Sequence, residues 1–477
     1  MERKEYDAIV VGSGPNGFAA AILIQQQGLK TLLIEAKPTT GGGLRSAELT
    51  LPGFNHDVSS AVHPLALASP YFSRLPLAKY GLSFINPTLA AAHPFDNGQA
   101  VSLEHSVTET ALMLGNDDRT YEHMLNPLVK SWPALAGDLL APLHLPRNPL
   151  AYARFGLAGI QPAANLIRRF GSFAARGFFA GMAAHSMQPL TNATTAAVAL
   201  VLLVTGHSKG WPIPRGGSQS IADALESYFK VLGGEIVTDF EVRTLGDLPP
   251  SRAVLLDVTP RQLLTIAGNT FTPLYQSQLR KFRYGMGVFK IDWALSAPIP
   301  FTARPCRLAG TVHLGNTFPE IAGAEKRTWD GTQSERPFVL LSQPSLFDAT
   351  RAPAGKHTAW AYCHTPAYAD QDVSTLIENQ VERFAPGFKD LIIGRHTFNA
   401  VEMEAYNANN VGGDINCGVL DIGQLFTRPA LRWSPYRTSA KGIYLCSAST
   451  PPGGGVHGMC GYHAAKNALK DIFGLSV

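Results

Sequence analysis

Residues 7–35 constrain the fold of this chain more than any other segment. Asp7-Ala8-Ile9-Val10-Val11 is a short apolar run of the kind that forms a buried strand. It ends in Gly12-Ser13-Gly14-Pro15-Asn16-Gly17, and a helical stretch from Phe18 to Gln27 follows, closed by Gly28. Thr31-Leu32-Leu33-Ile34 then supplies a second strand and delivers Glu35. Gly12 permits a tight turn, Gly14 lets the backbone approach a pyrophosphate, and Gly17 lets the helix pack close on the strand. The free amides at the helix start favour phosphate charge, and Glu35 is placed to accept hydrogen bonds from a ribose. A glycine-rich turn alone carries little weight. Strand, glycines, helix, strand and acid in this order specify a Rossmann-like unit for an adenine dinucleotide.

The residues after Glu35 narrow the choice of dinucleotide. Ala36-Lys37-Pro38-Thr39-Thr40 leads into Gly41-Gly42-Gly43-Leu44-Arg45-Ser46. This suits a loop wrapping a second stretch of the same phosphates, with Arg45 as cation and Ser46 as hydroxyl. An extended flavin dinucleotide needs such a loop, whereas a simple NAD domain does not. Near the far end, Gly442–Ala448 reads as a strand, Ser449–Gly458 as a glycine-rich turn, and Met459 towards Phe473 as a helix. Gly453, Gly455 and Gly458 repeat the glycine spacing, but no strand and acid follow them. The turn reads better as a cradle for a flavin ring, its amides and helix dipole stabilising negative charge on the reduced form.

These residues carry a resemblance. The chain resembles the phytoene desaturase-like branch of the FAD-dependent amine oxidase superfamily, and within it the phytoene dehydrogenase-related group. The matching phrases include Val11–Gly17, Ala47–Phe54, Ser60–Leu65, Gly210-Trp211-Pro212 with Arg215-Gly216-Gly217, Gly412–Ile415, and the Pro452–Gly458 turn. The resemblance implies that FAD is held by Gly12, Gly14, Pro15, Asn16 and Gly17, then by Glu35, Ala36, Gly42, Gly43, Leu44 and Arg45. It further implies His63, the backbone at Val242, and Ser447, Gly455, Val456 and His457. Members of the group usually carry glycine at the position of Ser447, beside the flavin tail.

Mid-chain, Pro212–Gly217 punctuates the sequence, with Ser218 as a candidate N-cap for a helix bearing Ile221, Leu225, Tyr228 and Leu232 at helical spacing. Glu235–Val237 starts a strand, Val242 falls in the next, and Ala253–Val258 forms another. The fold class is therefore α/β, α+β overall: a Rossmann-like FAD-binding domain with an inserted mixed-sheet substrate domain and a helical lid. The expected FAD-binding domain is discontinuous, at 1–75, 212–272 and 425–477. The substrate domain occupies 76–140 and 273–424, with strands near 286–295, 308–314, 338–341 and 357–363 and long helices at about 117–136 and 373–385.

Composition sets limits. The chain has 477 residues, 45% of them hydrophobic, enough for a large core and more than one domain. A formal net charge of +4 gives no basis for nucleic-acid binding. The charged Met1–Glu5 start is unlike a signal peptide and suggests a cytoplasmic protein. The five cysteines, Cys306, Cys363, Cys417, Cys446 and Cys460, lack metal-ligand spacing, so no metal is expected. Cys446 and Cys460 are candidates for covalent flavin attachment or small buried side chains.

Residues 139–222 contain no Asp or Glu but do contain Arg147, Arg154, Arg168, Arg169, Arg176, Lys209 and Arg215. The basic, apolar segment 141–211 reads as a peripheral membrane contact, a lid over a lipophilic tunnel, or a buried helical cap. Thr195–Val204 is its longest apolar run, far short of the roughly 20 residues that span a bilayer.

Catalytic residues are sparse because a flavin itself accepts hydride. His457 in the cradle and Tyr436 before the last strand are the catalytic candidates, while His185 reads as structural. The expected activity is hydride abstraction from a long apolar isoprenoid, carotenoid or lipid-like substrate, with oxygen or a quinone as electron acceptor. A redox-neutral lipid isomerase or hydratase, an amine oxidase, and a non-enzymatic FAD-stabilised binding protein are the alternatives.

Overall fold

The apolar run at the N-terminus becomes the centre of a five-stranded parallel sheet. The computed structural model describes residues 5–477, so the Met1–Lys4 part of the charged start lies outside the described residues. The sheet runs in the order Ile443–Leu445, Ser251–Leu256, Tyr6–Val11, Thr31–Ile34, Glu235–Val237. It joins strands from the beginning, middle and end of the chain, with Ala8 opposite both Thr31 and Ala253. The helices Pro15–Gln25, Gln219–Val231 and Met459–Phe473 contribute to one apolar core beside it.

The first helix starts at Pro15, three residues before the periodic apolar run, because proline is pre-set for the first helical position. Ser218 precedes the mid-chain helix but does not cap it; its hydroxyl reaches Ser60 O at 2.6 Å instead. Val242 does not lie in a strand. After Glu235–Val237 the chain turns at Asp239, whose φ is +57°, and the Phe240 amide bonds back to Glu35 O at 3.0 Å. That turn takes Val242 off the sheet.

A second, seven-stranded sheet stands apart from the first. Its order is Ile392–Phe398, Gly287–Leu295, His357–Thr365, Val339–Ser342, Ala309–Leu314, Leu89–Pro94, Ala100–Leu103. Every neighbouring pair is antiparallel except Ala309–Leu314 with Leu89–Pro94. The period of two assigns the faces. Phe289, Ile291, Trp293, Val339, Leu341, Ala359 and Ala361 pack on one side with the helix Ser374–Phe384. Leu340 and Trp360 face the other side, into a helical core with Asp118–Leu139, Phe173–Ala184 and Thr195–Lys209.

The acid-free segment divides in two. Phe178, Phe179, Met182, Leu200 and Leu203 are fully buried, so the apolar bodies of the two helices within 173–209 form an inner wall, with Phe173, Arg176 and Lys209 at its exposed ends and edge. Leu143, Leu145, Leu150 and Leu157, by contrast, stand in solvent around the helix Pro149–Gly159. The difference is one of pattern: two helices that are apolar on all sides can only be buried. Among the described residues, no helix is long and apolar enough to cross a membrane.

Candidate functional site

Backbone builds the dinucleotide end. A Cβ on Gly17 would sit 1.9 Å from Gly12 O, and one on Gly42 would sit 3.0 Å from Gly14 Cα. Neither approach tolerates a side chain. Gly461 has the same character, since a Cβ there would lie 1.8 Å from Asn16 O. The last helix therefore docks on the first phosphate-loop turn through a glycine, as the first helix does on its strand.

Glu35 follows its strand with both carboxylate oxygens engaged. Ser13 donates to it from its amide (3.0 Å) and hydroxyl (2.5 Å), Lys37 from its amide (3.0 Å), and Arg45 from Nη2 (2.9 Å). Arg45 also donates to Thr39 O and Gly42 O and so braces its own loop, while the Gly41 amide, 3.1 Å from Ser13 Oγ, ties that loop to the first. Both residues line a single large cavity of about 1320 Å³, together with Gly12, Gly14, Pro15, Asn16, Ala36, Gly42, Gly43 and Val242. Leu44 does not line it; its side chain is fully buried in the core beside the parallel sheet. Gly17 contributes its amide, which donates to Asp257 Oδ2 at 2.9 Å.

No sequence motif singles out Asp257. It follows the strand Ser251–Leu256 beneath the phosphate loop, and burial above all pushes its carboxyl up to about 7, with Glu35 adding to the rise. Its apolar strand context, Leu255-Leu256-Asp257, is the one signal the sequence offers.

The Pro452–Gly458 cradle and the Ser60–Leu65 phrase meet further along the cavity. Ser218 gives its one proton to Ser60 O and therefore accepts from His63 Nε2 at 2.7 Å. His63 thus keeps a bare Nδ1, buried and without a partner. His457 is the reverse: Nδ1 accepts from the Met459 amide at 3.0 Å, so Nε2 carries the proton, also buried and unpartnered. Burial pushes both imidazoles down to about 4, so both are neutral. The cradle offers one acceptor and one donor on side chains that cannot reorient freely. His457 has its Nδ1 lone pair committed to the Met459 amide and offers a fixed donor to the cavity, a hydrogen-bonding role. Ser447, Gly455 and Val456 line the same wall.

A buried carboxylate supports this arrangement. Asp57 accepts from Ser218 N and Ser46 Oγ (both 2.7 Å) and from Arg351 Nη2 (2.8 Å). Burial raises its pKa, but Arg351 and the Ser218 amide outweigh that and hold it below the usual carboxylate range.

Beyond the cradle the cavity becomes apolar. Val288, Leu340, Trp360 and Tyr362 come from the seven-stranded sheet, and Phe155, Val201, Leu202 and Trp211 from the helical side. Lys290 is the exception, a buried cation on the cavity wall paired with Asp292 two residues along the same strand face. Burial acts to raise Asp292, yet Lys290 and the neighbouring His396 and His56 keep it low. His185, read from the sequence as structural, also lines this end. Its Nε2 lies 3.0 Å from His313 Nε2, and burial pushes its pKa down to about 3. Lys290 escapes a reading of the sequence because it sits inside an apolar strand whose alternation only the register reveals.

Tyr436 does not line the cavity. It is buried in the core beside the parallel sheet, and its hydroxyl donates to Pro451 O at 2.9 Å, so it is a structural residue. Cys446 is likewise in that core, and Cys460 sits 3.5 Å from Thr450 O and Gly453 O with burial raising its thiol to about 12. Neither is exposed to the cavity, whereas Cys417 is among its lining residues.

Comparison with known proteins agrees with this geometry. The NAD(P)-binding Rossmann-like domain family matches residues 10–75. The fold is amine-oxidase-like. Putrescine oxidase bound to putrescine superposes with a TM-score of 0.60 at 16% identity, covering 99% of this chain and 100% of that one. In sequence, the chain is 25% identical to pyridine nucleotide-disulfide oxidoreductase domain-containing protein 2 of Rattus norvegicus, over 98% of this chain and 94% of the rat protein. One component of the limonene dehydrogenase of Castellaniella defragrans is 22% identical, over 100% of this chain and 96% of that protein.

Proposed function

We propose that this chain is an FAD-dependent oxidoreductase that desaturates a long apolar substrate of isoprenoid or lipid-like character. The observation that carries this reading is the continuity of one cavity, from glycine-built phosphate loops, past a neutral donor–acceptor pair, into an apolar chamber. FAD fits the first two parts. Gly14 and Gly42 pack bare backbone on backbone at the cavity wall, with no side chain between the loops and the cavity, and His63 Nδ1 and His457 Nε2 are buried polar atoms in need of partners. When bound, the flavin supplies a hydride acceptor.

The chain's own residues do the rest. Val288, Leu340, Val201 and Leu202 bind and align an apolar chain and exclude water from it. Lys290 and Asp292 hold a fixed, mutually neutralised dipole at the wall. His185, kept neutral by burial and set against His313, is a polar group on the chamber wall; with its pKa pushed down to about 3 it is too weak a base to hold the proton the substrate loses, which passes to solvent. Electrons leave to oxygen or a quinone. The name of the limonene dehydrogenase relative supports a terpenoid-like substrate.

The amine oxidase alternative gains from the likeness to putrescine oxidase, but the chamber disfavours it. Trp360 and Tyr362 stack at 5.7 Å and 11°, too close to sandwich an amine, which needs about 7 Å between ring planes.

The test is the visible spectrum of the purified protein, recorded anaerobically before and after adding lipid and carotenoid extract from the source cells. Bleaching of the flavin band, with a product two hydrogens lighter by mass spectrometry, is the expected result. A flavin that never bleaches while an isomeric product accumulates overturns desaturation in favour of isomerisation. A colourless, flavin-free protein that FAD does not reconstitute overturns the cofactor assignment.

A further inference from the structure

Leu145 is 93% and Leu150 83% exposed, and Leu143 and Leu157 are each more than 70% exposed. Four leucines so placed within fifteen residues are unusual for a surface that meets only water. Across a cleft from them, Phe426 is half exposed. The two sides are joined: the Thr194 amide donates to Ile160 O at 3.0 Å, and Thr194 Oγ1 reaches Leu420 O at 2.9 Å. Leu143, Leu157, Ile160 and Phe426 are at once exposed and part of the cavity lining, so the patch is the rim of the cavity mouth.

Charge decides what this rim faces. Arg147 and Arg154 are exposed on the same segment, and neither forms an ion pair among the described residues. No Asp or Glu occurs anywhere from 139 to 222. A second copy seated on this patch through a two-fold axis would set like upon like, arginines against arginines. An anionic surface with an apolar interior satisfies both features together.

We propose that the rim docks on an anionic lipid bilayer, its leucines in the acyl boundary and Arg147 and Arg154 at the lipid phosphates, so that the cavity opens into the membrane interior. The docking stands on its own geometry; only its use, delivery of a lipophilic substrate without passage through water, rests on the function proposed above.

The experiment is co-sedimentation of the flavin-loaded full chain with vesicles of phosphatidylcholine alone and of phosphatidylcholine mixed with phosphatidylglycerol. Wild type is expected in the pellet with the mixed vesicles, less so as salt rises. Leu145→Glu with Leu150→Glu, at two positions outside the cavity lining, is expected to stay in the supernatant while keeping its flavin and melting temperature. Arg147→Glu with Arg154→Glu is expected to bind mixed vesicles on the order of tenfold or more weakly, since each basic side chain near a charged surface contributes roughly a factor of five. Wild type remaining in the supernatant with both vesicle types overturns the proposal. So does a leucine variant that pellets like wild type. Loss of a concentration-dependent dimer in that variant, without vesicle binding by wild type, assigns the patch to a second copy and also overturns it. Vesicle binding by a protein whose flavin no lipophile reduces supports the docking and counts against the proposed function alone.

Discussion

The two ends of the cavity are made of different material. At the dinucleotide end the wall is backbone: glycines at 12, 14, 17, 42 and 461 bring main chain to main chain, and amides supply the donors. At the chamber end the wall is side chains from a sheet and a helical layer, and specificity rests on a few buried polar groups, Lys290, Asp292, His185 and His313. Backbone sites depend on sterics that admit no substitute. Side-chain sites depend on electrostatic balance, which can be broken and rebuilt by compensating changes. Mutation should therefore be all-or-none at the first end and graded at the second.

The largest effect expected is at Gly461. Gly461→Val would place a carbon 1.8 Å from Asn16 O, against a backbone that cannot yield. The variant should fail to retain FAD and should be recovered largely unfolded, like Gly17→Val, whose Cβ would meet Gly12 O at 1.9 Å. Flavin absorbance per mole of purified protein checks both. A soluble, fully loaded Gly461→Val would show that the first and last helices need not touch, and the contrast between the two ends would fail.

Lys290 tests the other end. Lys290→Met strands a fully buried Asp292 without its cation, which should cost about 3–5 kcal/mol in urea denaturation. Adding Asp292→Asn removes the orphaned charge and should restore most of that loss. If the double variant is no more stable than the single, Lys290 is held by packing rather than by charge balance, and the chamber behaves like the backbone end.

Asp257 is the place where the two kinds of wall meet, a side chain beneath a glycine loop. Burial lifts its pKa from 3.8 to about 7, so the folded chain holds this proton more tightly than the unfolded chain does. The associated stability is present below about pH 4 and is lost as pH rises towards 7. Asp257→Asn, which can still accept from the Gly17 amide, should match wild type near pH 4. It should exceed wild type by at most roughly 4 kcal/mol at pH 8, in paired urea titrations. A difference that does not change with pH would remove the carboxyl's titration from the loop's energetics.

The same division explains what the sequence disclosed. Backbone sites leave a linear trace: Gly12, Gly14, Gly17 and Glu35 stand at fixed offsets in one βαβ unit, and the parallel sheet around them forms where the apolar runs predict. The separate strand expected at Val242 does not form, since after the positive-φ turn at Asp239 the chain bonds back through Phe240 to Glu35 O, yet Val242 still lines the cavity as its position implied. The chamber leaves no such trace. Lys290 and His185 lie 105 positions apart in the chain and become neighbours of one cavity through sheet register and helix packing, long-range facts that local pattern does not encode. The acid-free run was legible as a feature, but only its burial pattern separates the inner wall at 173–209 from the exposed rim at 143–160.

Tyr436 gives the smallest effect and the sharpest check on where the chamber stops. Its ring is fully buried on the sheet side of the Pro452–Gly458 turn, and its hydroxyl donates to Pro451 O at 2.9 Å. Tyr436→Phe deletes one hydrogen bond and leaves one buried carbonyl with less to accept, a loss of about 1–2 kcal/mol. Because the ring remains, the cradle should keep its shape, and the rate of flavin reduction by any active lipophile should not change. A residue on the chamber wall would give the opposite pair of results, with stability held and reduction slowed. Measuring melting temperature and anaerobic reduction rate on the same preparation separates the two, since a core hydrogen bond cannot affect the second without the first.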